Sequence, residues 1–283
     1  MYSKAFVEAL EQKSSEIRGD ILMMLNSAKS GHSGGSLSSV EILTALYFYK
    51  MKHNPLNPDW DGRDYFILSK GHVCPALYTA MAHSGYFPRE ELKTLRKLGS
   101  RLQGHPHWLK LPGLETSSGS LGQGLSVANG IAMSLKLDKK PNRVYCLLGD
   151  GELQEGQIWE AAMTSAHYGL DNVCAIVDYN NLEIDGYVEE VMGIHPLTDK
   201  WESFNWHVHE CDGNDITSVI RALDHASQMK RKPSVLIAHT TKGKGVSFME
   251  DVDMWHGKTP SPEQLAQALS QIDGACSVFK AWN

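Results

Sequence analysis

Five short apolar runs recur along this chain with helix-length stretches between them, and that rhythm restricts the fold more than any other feature. The runs are Tyr65 to Ser69, Val144 to Gly149, Val173 to Asn180, Trp206 to Asp212 and Pro233 to Thr241. Each has the length of a strand, and most lack the apolar-polar alternation of a sheet with one wet face. Helix-spaced apolar residues occupy roughly 74 to 84, 122 to 138, 156 to 169 and 216 to 230. Strands apolar on both sides must be covered on both sides, so the alternation predicts an α/β fold: a parallel sheet sandwiched by helices. Upstream, Phe6, Ala9, Leu10, Ile17, Ile21, Leu22 and Leu25 recur by threes and fours, predicting a helix over 4–28, and 39–51 reads as a second. No repeat, low-complexity tract or Pro/Gly/Ser-rich linker divides the sequence. One domain over residues 1–283, with an N-terminal helical layer, is expected.

Several function classes are disfavoured by composition. A net charge of -6 leaves no basic footprint for nucleic acid, and Lys and Arg are scattered. The apolar runs are far too short to span a bilayer, and Glu8 and Glu11 interrupt the N-terminal stretch where a signal peptide would be apolar. A cytoplasmic protein without nucleic-acid or membrane partners is the expectation. Cys74, Cys146, Cys174, Cys211 and Cys276 show no C-x-x-C spacing, so neither disulfides nor a zinc site is indicated.

Ligands of open α/β sheets bind at the carboxyl ends of the strands, and here those ends are polar. Lys70-Gly71-His72 follow the first run, Asp150-Gly151-Glu152 the second, Asn180-Asn181 close the third, and Lys242-Gly243-Lys244-Gly245 follow the fifth. Asp150 and Asn180 end consecutive strands joined by a right-handed crossover, so both side chains reach the same sheet edge. A carboxylate, an amide oxygen and a nearby carbonyl suit a hard cation such as Mg2+, which shares its shell with phosphate oxygens. Gly149 and Gly151 allow a sharp turn and close approach to a diphosphate.

The segment 149–186, opening with Gly-Asp-Gly and reaching Asn180 about thirty residues later, resembles the thiamine-diphosphate motif. By that resemblance Asp150 and Asn180 would ligate Mg2+ (or Ca2+ or Mn2+) by side chain and Leu182 by its carbonyl. Gly151 would meet the diphosphate through its backbone, beside Glu152. The motif is shared by decarboxylases, ketoacid dehydrogenases and transketolases, so it names the cofactor and not the reaction.

Thirteen histidines narrow the choice. Ser30-Gly31-His32, Ser69-Lys70-Gly71-His72, Gly104-His105-Pro106 and Trp255-His256-Gly257 resemble transketolase motifs in the same order, as do the long stretches 114–134 and PLTDKWESFNWHVHECDGND. The resemblance runs from about residue 14 to 260. It implies the thiamine-diphosphate-binding fold and places His32 and His256 nearest the reacting carbons of a ketose phosphate. His72 and His105 would contact diphosphate or donor hydroxyls. Gly119, Ser120 and Leu121 would border the aminopyrimidine, and Lys242 would lie close to the cofactor. Imidazole suits proton movement because its ordinary pKa lies near neutrality. Two departures stand out: Ser120 replaces a proline common in relatives, and Gly34-Gly35 replace bulkier residues.

His207 and His209 share one face of a strand, but no third ligand is evident, so they read as structural. The resemblance further implies that the glutamate activating thiamine, and the arginines gripping sugar phosphate, belong to a pyrimidine-binding domain that would follow Asn283. A C-terminal transketolase subunit is therefore the expected partner, with two copies of each chain and with Glu155 and Glu160 at the interface between cofactor sites. The expected reaction transfers a two-carbon ketol unit from a ketose phosphate to an aldose phosphate, and a sulfonated or branched ketose is an open option for the donor. The competing readings are one chain of a ketoacid dehydrogenase or deoxyxylulose-phosphate synthase, and a non-catalytic regulatory homologue.

Overall fold

The computed structural model describes residues 2–272; Cys276 and Asn283 lie outside the described residues. In chain order the helices are α1 (Lys4–Ala28), α2 (Ser33–Ser38), α3 (Val40–Ala45), α4 (Cys74–Ser84), α5 (Gly124–Leu137), α6 (Gly156–His167), α7 (Val188–Met192), α8 (Leu197–Ser203), α9 (Ile216–Gln228) and α10 (Pro262–Ser270). The strands are β1 (Tyr65–Leu68), β2 (Val144–Gly149), β3 (Val173–Tyr179), β4 (His207–Asp212) and β5 (Ser234–His239). All pair in parallel in the order β1-β2-β3-β5-β4, as the apolar runs predict.

Successive strand residues feed two separate cores. Phe66, Leu68, Tyr145, Leu147, Cys174 and Ile176 pack with α1, α3, α4 and α9. Their neighbours Ile67, Cys146, Leu148, Ala175 and Val177 pack on the other side with α5, α6 and α8. Burial on both faces is why these strands read as continuous apolar runs. Strand β4, at the sheet edge, has the only half-polar burial pattern of the five, which accounts for its sequence HVHECD.

Helix ends follow local chemistry. The Ser3 hydroxyl accepts from the Phe6 N–H, Asp215 caps α9 through Thr217, and Ser261 with Gln264 forms a reciprocal capping box at α10. Stretch 39–51, expected as one helix, is helical from Val40 to Lys50 but changes winding within, from α through Ala45 to a π turn over Leu46–Lys50, and a separate short helix, α2, precedes it and ends at Ser38. The break between α2 and α3 falls at two serines. Ser38 donates to buried Asp178 at 2.5 Å, while Ser39 donates to the Gly35 carbonyl at 2.9 Å and lies 3.1 Å from Asp178. Hydroxyls that bond elsewhere compete with the helix ladder.

Cys74, Cys146, Cys174 and Cys211 are buried free thiols. Among the described residues no helix is long and apolar enough to cross a membrane. Helix α9 brings His225 against the β4 pair, with ring centroids 5.1 Å from His207 and 5.2 Å from His209. Even so, no three His, Cys, Asp or Glu groups among the described residues are arranged to hold a metal.

Candidate active site

Strands β2 and β3 lie side by side with Gly149 opposite Asp178, so Asp150 and Asn180 emerge from adjacent strand ends. Asp150 is buried and already serves its own loops: Oδ1 accepts from the Gly151 N–H at 2.8 Å, and Oδ2 accepts from the Asn181 N–H. Burial, reinforced by the charge of Asp178, pushes its carboxyl up to about 6. An acid raised in this way gains by acquiring a cation. The Asn180 Oδ1 accepts from the Leu182 N–H at 3.2 Å, and the Leu182 carbonyl accepts from Lys242 Nζ at 2.8 Å.

Beneath them lies a charge pair that sequence reading passed over. Lys70, in the loop after β1, donates to Asp178 on β3, and both are buried. Burial alone would raise the Asp178 carboxyl, but Lys70, Ser38 and Thr240 outweigh it and hold the group below its usual range. The signal was present as a lone charge inside the apolar run VCAIVDYN.

Four imidazoles converge on the same edge. The His32 ring lies 5.0 Å from His72, 5.7 Å from His256 and 6.4 Å from His105. His72 and His256 stack at 5.2 Å. Burial, aided by neighbouring cations, pulls His32 down to about 4, His72 to about 2 and His256 to about 3, and lowers His105 as well. All are neutral at pH 7. Burial also pulls Lys242 down to about 8, with Asp150 and Asp178 opposing that fall.

Of these groups His32, His72, His256, Lys70, Lys242, Asp150 and Asn180 line a cleft of about 370 Å3 with Gly35, Gly119, Leu121, Gly151 and the loop Leu182–Asp185. His105 is not among the lining residues; it packs beside Gly119, where a Cβ would come 3.6 Å from its ring. The residues fit a magnesium-bound diphosphate. A carboxylate, an amide and a carbonyl form an oxygen donor set. His32 Nδ1 is buried without a hydrogen-bond partner, and a Cβ on Gly35 would lie 3.1 Å from Val73 and 3.9 Å from His72 Nε2. Glycine keeps the floor of the cleft open.

Three expected contacts take a different form. Glu152 borders the cleft, but its carboxylate is occupied: it accepts from the Gly122 and Gly149 N–H groups, each at 2.9 Å, and from the Ser69 hydroxyl. It joins three loops and has no oxygen spare of a structural bond. The Gly151 N–H is committed to Asp150, so Gly151 offers the cleft its missing side chain; a Cβ there would come 3.2 Å from Glu183 Oε2. Ser120 borders a neighbouring groove with Ser118 and Gly119 instead of the cleft, because the chain turns between Gly119 and Leu121. Glu155 is exposed at the cleft rim and Glu160 on the outer face of α6.

A family model described as transketolase, thiamine diphosphate binding domain, matches residues 11–274. A protein of Phocaeicola vulgatus named as one subunit of an apulose-4-phosphate transketolase is 44% identical over 266 residues, covering 94% of each chain. The 6-deoxy-6-sulfo-D-fructose transketolase subunit SqwG of a Clostridium species is 43% identical, covering 93% of this chain and 96% of that one. The crystal structure of Campylobacter jejuni transketolase superposes with a TM-score of 0.89 at 32% identity, covering 97% of this chain but 45% of that one. The chain thus spans less than half of the solved transketolases it matches and nearly all of the relatives named as subunits. These relatives favour the transketolase branch over the ketoacid dehydrogenase and deoxyxylulose-phosphate synthase readings. The chain belongs to the transketolase family, as a thiamine diphosphate-binding domain of that family.

Proposed function

We propose that this chain is the diphosphate-binding subunit of a two-chain transketolase, which moves a two-carbon ketol unit from a ketose phosphate to an aldose phosphate. The carrying observation is the convergence of His32, His72, His105 and His256 on the edge that presents Asp150 and Asn180. Asp150, Asn180 and the Leu182 carbonyl would hold Mg2+, and the glycine floor would admit the diphosphate. When bound, thiamine diphosphate supplies an electron sink for carbon-carbon cleavage beside a carbonyl.

The protein's part is orientation and proton movement. His256 Nδ1 lies 2.9 Å from the Lys242 ammonium, so Nδ1 accepts and the ring proton sits on Nε2, where it can be donated toward a sugar oxygen. His32, with its ring 5.0 Å from His72 and 5.7 Å from His256, is the group proposed to accept a donor hydroxyl proton. His72 adds a further neutral ring to the cleft wall, and His105 packs beside Gly119 with its ring 6.4 Å from that of His32.

A partner chain supplying the pyrimidine-side domain is supported by the names of relatives that match this chain end to end and are themselves called subunits. Two copies of each chain are part of the same proposal. The relatives are named for apulose-4-phosphate and for a sulfonated fructose, and we infer a donor ketose with a terminal anionic group for this chain. Buried free thiols fit a cytoplasmic location.

The test is to reconstitute the chain with a C-terminal transketolase subunit, thiamine diphosphate and Mg2+, and to assay a panel of ketose phosphates and sulfonates. Ketol transfer to an aldose phosphate by the pair is the expected result. An assembled pair inactive on every donor would defeat the reading.

A further inference from the structure

Arg96 was not singled out by sequence, and it reaches both outer histidine loops. It follows the 3-10 turn Arg89–Thr94 with a positive φ of 59°, and its backbone N–H closes a loop onto the Leu102 carbonyl at 2.9 Å. From there the guanidinium donates in two directions: Nη1 to the Ser30 hydroxyl at 3.2 Å and Nη2 to the Gly104 carbonyl at 3.1 Å. Ser30 stands two residues before His32, and Gly104 immediately precedes His105. Gly104 is shaped to this contact, since a Cβ there would come 2.8 Å from the Arg96 Cζ and 2.9 Å from its Nε.

We propose that Arg96 is a positioning residue for ketol transfer, clipping the loop that carries His32 to the loop that carries His105 and fixing the gap between the two rings. The inference rests on the function proposed above. A planar fork suits the task because two donors leave one rigid group at a fixed angle, which a lysine cannot reproduce. Without the clip, each loop is free to shift independently, and a misplacement of about 1 Å in a reacting group can cost about 10²-fold in rate.

The charge of Arg96 has a second effect that separates this role from plain scaffolding. After burial it is the leading cause of the low pKa of His32, ahead of His105 and Lys242, and after burial it also lowers His105. His72 and His256 also face His32, and both are neutral near pH 7. Removing the guanidinium therefore raises both midpoints, and the shift shrinks as salt is added because Arg96 is exposed.

Two variants divide the effects: Arg96→Gln loses the charge, whereas Arg96→Lys keeps the charge and loses the fork. In the isolated chain, histidine C–H resonances followed against pH should show His32 and His105 titrating higher in Arg96→Gln and near wild type in Arg96→Lys. In the reconstituted pair both variants should lose about 10- to 10²-fold in kcat, with thiamine diphosphate affinity within threefold of wild type by calorimetry. Only Arg96→Gln should move the acid limb of the rate profile to higher pH. Unmoved titrations in Arg96→Gln, or kcat within twofold of wild type in both variants, would overturn the proposal. An inactive wild-type pair would instead defeat the function, while the resonance titration would still decide the charge effect of Arg96.

Discussion

Lys242 lies between two groups of unlike role: its ammonium is 2.9 Å from His256 Nδ1 and 2.8 Å from the Leu182 carbonyl. One buried cation therefore sets a ring tautomer and orients a proposed metal-ligating carbonyl. Lys242→Met keeps the length and removes both bonds. The expected outcome is about a 10²-fold loss of kcat in the reconstituted pair, together with weaker Mg2+-dependent cofactor binding by calorimetry. Loss of binding alone, with kcat intact at saturation, would remove the tautomer role.

The oxygen donor set makes a simpler prediction. Asp150→Ala or Asn180→Ala removes one of the two proposed side-chain ligands for Mg2+. Thiamine diphosphate affinity should fall at least about 10-fold, a loss of about 1.4 kcal/mol or more, while circular dichroism stays unchanged. Titration calorimetry with and without Mg2+ is the check, and wild-type binding in either variant would eliminate that ligand.

Glu152 predicts a stability effect. Its carboxylate accepts from the Gly122 and Gly149 N–H groups and from Ser69, so Glu152→Gln must turn an NH2 toward a group that itself donates. One buried donor is left unmatched, at about 1–3 kcal/mol. Urea unfolding should show a loss of that size, and an unchanged midpoint would mean that the loops are held by other contacts.

The neutral histidines fix an acid limit. His32 and His256 have folded pKa values lowered from 6.5 to about 4 and about 3, so as pH falls below 6.5 the unfolded chain takes up protons first. Their contribution is fully present above pH 6.5 and is lost as pH falls through 4 and 3. The melting temperature of the cofactor-free chain should drop over this window, and His32→Asn should flatten the slope. Equal slopes for the two proteins would contradict the burial assigned to His32.

The sheet and its strand boundaries were legible because they rest on local pattern: apolar runs give strands, and the polar residues just beyond them line one sheet edge. Asp150 and Asn180 needed only the parallel crossover to bring them together. Helix 39–51 is present from Val40 to Lys50, but the break before it was not legible because it is tertiary, with Ser38 and Ser39 turned toward a carboxylate about 140 residues away in sequence. Lys70 stood out as a polar strand end, but its pairing with Asp178 did not, and Arg96 was not marked at all, because the partners Asp178, Ser30 and Gly104 are distant in sequence. Glu152 was assigned to the cofactor by its place beside Gly151, while its orientation depends on Ser69 and Gly122.

Asp178 gathers donors from the loop after β1, from the α2–α3 junction and from Thr240 beyond β5. A carboxylate shared this way couples segments that would otherwise fray independently, since releasing one leaves a desolvated charge short of compensation. The consequence is cooperativity: the cleft floor opens only in large unfolding events, so its amides should exchange hydrogen nearly as slowly as the central strands even without cofactor. Evolutionary drift is constrained in the same way, because Lys70, Ser38 and Thr240 can change safely only as a set.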